Sequence, residues 1–178
     1  MARYAALLGS INVGGNRLKM ADLKSALEDH GFSNVATVIA SGNVLFEHSR
    51  AADTKFEGEI AGIVKFRFAI DSLVAVRTRP EIGSAIEDNP FHGDGQDRFV
   101  HSIFLDGQPA PERFDALLAE HREKGGERLA MGPRVLYLDY VHGVGVSSLT
   151  GAFLQRRLGV RGTARNMTSL KRIHEKMG

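Results

Sequence analysis

The chain has 178 residues, of which 43% are hydrophobic and 25% are charged, and its formal net charge is +2. This excess of positive charge is far smaller than that of a dedicated DNA-binding protein, although the isoelectric point is near 9.0. The absence of cysteine excludes disulfides, thiolate nucleophiles and cysteine-based metal sites. No apolar run approaches the ~18 residues of a membrane span, and the N-terminus lacks a secretion-type leader. The composition therefore predicts a soluble cytoplasmic protein with no membrane segment.

The first half of the chain is predicted to form the element order βαββαβ. Apolar residues spaced as on one helix face, such as Met20, Leu23 and Leu27, predict the first helix. The segment Ser41-Gly42-Asn43 interrupts two extended runs, which makes them either a hairpin or one bent strand. The predicted strands are 3–9, 35–40, 44–47 and 70–78, and the predicted helices are 20–30 and 53–66. This order is the split βαβ pattern of a ferredoxin-like unit.

The second half is predicted to repeat this order after a linker at 80–97, which contains a short helix and the loop Asn89-Pro90-Phe91. The predicted strands are 99–105, 127–131, 135–141 and 163–165. The predicted helices are 109–124, one that Ser148 caps and that ends at Leu158, and a terminal one from Asn166. We therefore predict an α+β fold of two tandem ferredoxin-like units (βαββαβ twice), with antiparallel sheets and an extra C-terminal helix. The predicted domains are 1–79, the linker 80–97, and 98–178.

The loop between the first strand and the first helix is the strongest candidate for a binding site. It contains Asn12, the adjacent Gly14 and Gly15, Arg17 and Lys19. Adjacent glycines allow positive φ and the close approach of a ligand, and exposed amides at a helix start beside two cations suit an anion. The loop is not a Walker A motif, because Gly15 stands where the phosphate-binding lysine is required. A purely structural turn and a partner surface are the alternatives.

Two further segments are predicted to contribute ligand contacts. The Ser41 hydroxyl and the Asn43 amide are candidates on an exposed edge, with a turn or bulge as the alternative. Arg165 could direct its planar guanidinium at a phosphate or carboxylate, with Asn166 beside it. Asn166 alternatively caps the last helix. The residues around Ser41 differ from those of a nucleophile elbow, which excludes acyl transfer at this serine.

The remaining polar residues predict no metal site, no cofactor and no identifiable catalytic set. The seven histidines lie at no metal-ligand spacing, and His92, beside Asp94 and Asp97, is the best isolated candidate for acid–base chemistry. Tyr4 and Phe46 occupy strand positions that stack bases in RNA-recognition domains, but the basic-glycine-aromatic pattern is absent, so we expect both rings in a core. Basic residues cluster late in the chain and could face a polyanion. They are Arg156, Arg157, Arg161, Arg165, Lys171, Arg172 and Lys176.

Five short blocks follow one another in an order that is specific when they are taken together. They are Ile11-Asn12-Val13-Gly14-Gly15, Met20-Ala21-Asp22-Leu23, Ser41-Gly42-Asn43-Val44 with Phe46, Asn89-Pro90-Phe91, and Thr163-Ala164-Arg165-Asn166. Together they resemble the bacterial DUF1697 family, a domain of unknown function. That family usually has Arg-Gly before the first block, where this chain has Gly9 and Ser10, and a tryptophan after the last, where it has Met167. The resemblance implies a tandem ferredoxin-like fold and no known activity, cofactor or catalytic residue.

These observations favour a binding module for a small anionic or phosphorylated ligand at the Gly14-Gly15 loop. One alternative is a nucleic-acid-associated protein that uses the late basic cluster, with binding that falls steeply with salt. A second alternative is an enzyme acting on a phosphorylated metabolite, for which the sequence supplies no convincing base or nucleophile. A protein partner is also open, because an edge strand of such a sheet can recruit another chain.

Overall fold

A computed structural model describes residues 1–12, 14–39, 42–51 and 53–178. Within these ranges the protein is α+β, with two four-stranded antiparallel sheets and six α-helices. The chain divides into two units. The first consists of Met1–Gly83 together with Lys171–Gly178, and the second of Ser84–Leu170. None of the helices in the described ranges is long and apolar enough to cross a membrane.

The first unit is a sheet of four strands with two helices packed on one face. The strands are β1 (Ala2–Leu8), β2 (Ser33–Thr37), β3 (Asn43–His48) and β4 (Val74–Thr78), and the helices are α1 (Met20–Asp29) and α2 (Thr54–Phe68). The strand order is β2-β3-β1-β4 and every neighbouring pair is antiparallel. The consecutive strands β2 and β3 pair directly, so the hairpin interpretation of this segment is confirmed.

Side chains along each strand point alternately to the two faces of the sheet, and those on the helix side form the core of the first unit. Tyr4 and Phe46 are cross-strand partners whose rings lie 5.4 Å apart, and both are buried in the cluster that α1 and α2 cover. The expectation that these rings pack in a core is therefore confirmed. Helix α2 starts where the Asp53 carboxylate accepts hydrogen bonds from the backbone N–H groups of Lys55 and Phe56, which satisfies donors that the first helical turn leaves free.

The end of the chain lines a groove on the other face of this sheet. Leu45 alternates with the core residues of β3, so it points away from α1 and α2, and it is nonetheless buried. Helix α6 (Met167–Lys176) ends in the first unit, where Arg172 and Lys176 line a groove together with Leu45. Ile173 is fully buried. The last residues of the chain therefore complete the first unit.

The second unit has the same order of elements. Its strands are β5 (Val100–Leu105), β6 (Arg128–Gly132), β7 (Val135–Asp139) and β8 (Gly162–Asn166), and its helices include α4 (Pro111–His121) and α5 (Gly151–Leu158). The strand order is β6-β7-β5-β8, again antiparallel throughout. A short 3-10 helix spans Val144–Val146. Ser148 is not the cap of α5, because Thr150 accepts the capping hydrogen bond from the Phe153 N–H.

The segment that joins the sheets is anchored to the second unit. It begins with α3 (Arg79–Glu87), and Asn89 follows as a buried side chain. The Asn89 amide donates a hydrogen bond to the His101 carbonyl and accepts one from the Phe91 N–H. The buried Ser102 hydroxyl donates to the Ala85 carbonyl at 2.7 Å. These bonds attach the end of α3 and the residue Asn89 after it directly to β5.

Candidate binding sites

Two asparagine side chains determine the shape of the first loop. The Asn12 amide donates to the Leu18 carbonyl at 3.0 Å and accepts from the Leu18 N–H at 2.8 Å. The Asn16 amide donates to the Ser10 carbonyl at 2.7 Å. Asn12 also has a φ of 54°, a left-handed conformation that asparagine tolerates well. The polar groups of Asn12 are thus used within the loop itself.

The glycines of this loop are exposed, but they are not at the start of the helix. Helix α1 begins at Met20, and its N-cap is Lys19. The predicted start of this helix at residue 20 is confirmed, and residues 16–19 separate the two glycines from it in non-helical structure. Gly14 has a φ of 60°, and a Cβ on either Gly14 or Gly15 would contact nothing. Arg17 and Lys19 are exposed beside them.

The structure brings the β2–β3 turn next to this loop. The Leu8 N–H donates to the Gly42 carbonyl at 2.8 Å, and Leu7 pairs with Asn43 across β1 and β3. Asn43 is only 4% exposed, so its amide is enclosed by protein rather than offered to solvent. Ser41, the other candidate in this turn, lies outside the described residues.

Arg165 and Asn166 lie on β8 of the second unit. The Asn166 amide oxygen accepts from the Ser169 N–H at 2.9 Å, which is the capping interaction that the sequence offered as an alternative role. Arg165 donates from Nη1 to the Thr163 hydroxyl and to the Ala164 carbonyl, both at 2.8 Å. Burial lowers the pKa of Arg165 to about 10. Both side chains thus make local structural bonds.

The late basic cluster is partly neutralised. Arg157 pairs with Glu120 at 2.8 Å, and Arg161 pairs with Asp106 at 3.2 Å. Hydrogen bonds from Arg157 and then Lys124 lower the pKa of Glu120, which keeps this carboxylate charged beside the arginine. Carboxylates therefore cancel two charges on which the nucleic-acid alternative depends.

Cations from both ends of the chain meet in one groove of the first unit, which we call the basic groove. It has a volume of about 350 Å³, and its lining residues are Arg3, Ala36, Thr37, Val38, Ile39, Leu45, Arg172 and Lys176. Arg3 lies 3.5 Å from Glu47, whose carboxylate also accepts a hydrogen bond from Asn34. Arg172 and Lys176 are exposed, and among the described residues neither has a hydrogen-bonding or ionic partner. The groove thus presents two unneutralised cations over an apolar floor.

Two clusters of the second unit test the enzyme alternative. The Ser147 hydroxyl donates to Glu127, and His121 Nε2 lies 3.1 Å from the other oxygen of Glu127. Activation of a serine requires the histidine, not the carboxylate, to contact the hydroxyl, so this order does not assemble a nucleophile.

Asp94, predicted beside His92, pairs with Arg128. In the described ranges, no three histidine or acidic side chains form a group that could hold a metal ion.

The family model described as "Protein of unknown function (DUF1697)" matches residues 1–137 of this chain. The chain belongs to the DUF1697 family. This DUF1697 protein is similar over its whole length to a solved structure, conserved bacterial protein SP0830 from Streptococcus pneumoniae. The match has a TM-score of 0.74 at 21% identity and covers 99% of this chain and 98% of that chain. A comparison with curated proteins finds no match. Because the identity is low, the likeness to SP0830 shows the fold alone.

Proposed function

We propose that this DUF1697 protein is a cytoplasmic binding module for a small anionic or phosphorylated ligand, which binds in the basic groove. The observation that carries the proposal is the convergence of Arg3, Arg172 and Lys176 on one groove, with Arg172 and Lys176 unneutralised among the described residues. Its volume of about 350 Å³ is within the range of small-molecule sites, roughly 300–1,000 Å³.

We further infer that each unit is a ferredoxin-like fold, so that the protein is a tandem of two. The element order βαββαβ in both units and the matching strand orders β2-β3-β1-β4 and β6-β7-β5-β8 support this inference. In the first unit this topology makes β2 an edge strand. The basic groove lies along that edge, where Thr37, Val38 and Ile39 contribute to its wall.

The side chains of the groove suit a phosphate or carboxylate. An arginine guanidinium is a planar fork that can bind two anion oxygens, whereas a lysine ammonium acts as a compact point charge. Val38 and Leu45 are buried apolar residues at the groove, and reduced access of water beside them strengthens the attraction between an anion and the cations.

The Gly14-Gly15 loop stays a second predicted position for the anion. Its exposed cations are Arg17 and Lys19, and within the described part of the chain the Arg17 side chain donates only to the neighbouring Asn16 carbonyl, at 3.3 Å. Two double variants distinguish the two sites. R172A/K176A removes two positive charges from the basic groove, and R17A/K19A removes two from the loop, so both change the net charge by the same amount. Arg122 and Arg156, exposed in the second unit, provide a matched control.

Isothermal titration calorimetry with inorganic phosphate and with glucose 6-phosphate, at about 0.15 M ionic strength, tests the proposal. We expect R172A/K176A to weaken binding by about tenfold or more, since a hydrogen bond to a charged group contributes about 1.5–3 kcal/mol. R17A/K19A and R122A/R156A should bind like the wild-type protein. A loss confined to R17A/K19A would assign the ligand to the glycine loop instead. Equal losses in all three variants, or no binding by the wild-type protein, would show that the basic groove is not an anion site.

A further inference from the structure

A second groove of the first unit combines two histidines with aromatic walls, and we call it the histidine groove. It has a volume of about 530 Å³ and lies where α1 ends, β3 ends and α2 passes. Its lining residues are His30, Phe32, His48, Arg50, Glu59, Gly62, Ile63 and Phe66. The sequence did not indicate this site, because the two histidines have no metal-ligand spacing and lie on different elements.

Backbone hydrogen bonds assign opposite tautomers to the two histidines in their neutral forms. His30 Nδ1 lies 2.7 Å from the Ala26 carbonyl. Since a carbonyl only accepts, Nδ1 of His30 carries the hydrogen and its Nε2 is an acceptor. In contrast, His48 Nδ1 accepts from the Arg50 N–H at 3.0 Å, so its Nε2 carries the hydrogen. The two histidines that line the groove therefore differ at Nε2, which accepts in neutral His30 and donates in neutral His48.

The charged residues of the histidine groove neutralise each other. Arg50 donates two hydrogen bonds to Glu59, at 3.0 Å and 2.8 Å, and its guanidinium also lies 4.1 Å from the centre of the Phe56 ring. The hydrogen bond from Arg50 lowers the pKa of Glu59, so the pair stays ionised at neutral pH. An incoming phosphate would have to compete with Glu59 for Arg50. The groove thus favours an uncharged ligand.

The apolar part of the histidine groove offers flat surfaces for a ring. Phe32 and Ile63 are buried at its wall, whereas Phe66 is 84% exposed. Because the Phe66 ring is exposed, its face is accessible to a ligand, and a planar ligand ring can stack on it in an offset arrangement. Aromatic side chains with a few placed polar groups are typical of small-molecule sites.

Gly62 leaves one side of the groove open, although the packing around it does not require a glycine. It lies inside α2, where glycine is the least favourable residue apart from proline. A Cβ at Gly62 would contact nothing within 4 Å, so no neighbouring side chain requires its absence. Gly58, one turn earlier on α2, has equally free surroundings but does not line the groove.

We propose that the histidine groove binds a neutral planar heterocycle that carries a hydrogen-bond donor beside an acceptor, the class to which nucleobases and nucleosides belong. His30 Nε2 accepts from an amino group of the ligand, and the His48 Nε2–H donates to a ring nitrogen or carbonyl. Phe66 stacks on the ring. This site is separate from the basic groove and does not depend on the proposed function.

Nuclear magnetic resonance of the imidazole ¹⁵N nuclei, with adenosine added to the full-length chain, tests this proposal. We expect shifts of the His30 and His48 Nε2 signals and no shift at His142, which is exposed in the second unit. Gly62→Leu fills the groove and should weaken adenosine binding by about tenfold, whereas Gly58→Leu should leave it unchanged. Because leucine is the better helix former, neither variant should lose the fold.

Two more variants locate and characterise the ligand. His30→Ala should weaken adenosine binding by about fivefold, and R172A/K176A should not affect it. Adenosine monophosphate should shift the two imidazole signals no more strongly than adenosine does, since Arg50, which is the arginine among the described lining residues, is already paired with Glu59. Unshifted His30 and His48 signals, equal effects of Gly62→Leu and Gly58→Leu, or much tighter binding of the monophosphate at these histidines would each overturn the proposal.

Discussion

Burial determines the charge of His101 more strongly than its neighbours do. The His101 side chain is on β5, its ring stands edge-on to Tyr140 with centroids 5.0 Å apart, and its Nδ1–H donates to the Phe99 carbonyl at 2.9 Å. Loss of solvation lowers the pKa of His101 below the ordinary value of 6.5, although the hydrogen bond to Phe99 and the charge of Asp139 oppose this shift. The folded protein therefore favours the neutral imidazole.

This shift predicts that stability falls in acid. The unfolded chain binds a proton at His101 near pH 6.5, whereas the folded chain binds it only at lower pH. The His101 contribution is therefore complete above the unfolded pKa and is lost as the pH falls through the folded pKa. Urea unfolding between pH 8 and pH 5 should show this loss in the wild-type protein and in His142→Gln, and a smaller loss in His101→Gln. If His101→Gln lost as much stability between pH 8 and pH 5 as the wild-type protein does, the assignment to His101 would be wrong.

At the scale of elements, the loop after α3 shows how one side chain supplies the hydrogen bonds that backbone groups would otherwise make within a helix or a sheet. Asn89 is 2% exposed. Its amide nitrogen joins the loop to β5 by donating to the His101 carbonyl and the Ser102 hydroxyl, and its amide oxygen accepts from the Phe91 N–H within the loop. Buried backbone groups outside helices and strands need such partners. The block Asn89-Pro90-Phe91 is thus explained by structure rather than by ligand binding.

We expect Asn89→Ala to destabilise the protein by about 2–3 kcal/mol, because it leaves the partly buried His101 carbonyl and Phe91 N–H without their side-chain partner. Asn89→Asp keeps the acceptor for Phe91 but loses both donor bonds, so it should also be destabilising. Gln96→Ala, an exposed change in the same segment, should lie within about 0.5 kcal/mol of wild type. Urea unfolding measures all three, and a cost for Asn89→Ala no larger than for Gln96→Ala would refute the anchoring role.

The element order was predictable because it depends on local periodicity. Helix α1 was predicted at 20–30 and spans Met20–Asp29, and β5 was predicted at 99–105 and spans Val100–Leu105. Errors concentrate at ends, as in the strand predicted at 70–78, which starts only at Val74. Apolar Ile70 and Leu73 are buried before the strand begins, so their hydrophobicity reports burial rather than strand pairing.

For the whole molecule, the C-terminal segment is a structural part of the N-terminal unit. Lys171–Gly178 groups with Met1–Gly83, and Ile173 is fully buried there. Gly83 lies against His174, since a Cβ on Gly83 would come within 3.3 Å of the imidazole. Only the folded chain reveals this closure, because local sequence does not specify which sheet a terminal helix covers.

We expect Ile173→Ala to destabilise the first unit by about 2–5 kcal/mol, because it removes buried methyl groups and leaves a cavity. Amide hydrogen exchange should then accelerate in β1–β4. Glu175→Ala, an exposed change on the same helix turn, should leave the exchange rates close to those of wild type. Unaltered protection of β1–β4 in Ile173→Ala would show that the terminal segment does not support this unit.

The sequence by itself determined the family, the α+β class and the order of the elements, since hydrophobic periods and turn residues act over a few neighbouring positions. The binding residues that the sequence indicated in the first loop remain predictions, and the Asn12 amide is hydrogen-bonded to the Leu18 backbone within that loop. Tertiary structure alone decided that Arg3, Arg172 and Lys176 line one groove, and that His30 and His48 line another. Contacts between distant segments arise from how sheets and helices pack, and no local pattern in a single sequence encodes which distant side chains will share a groove.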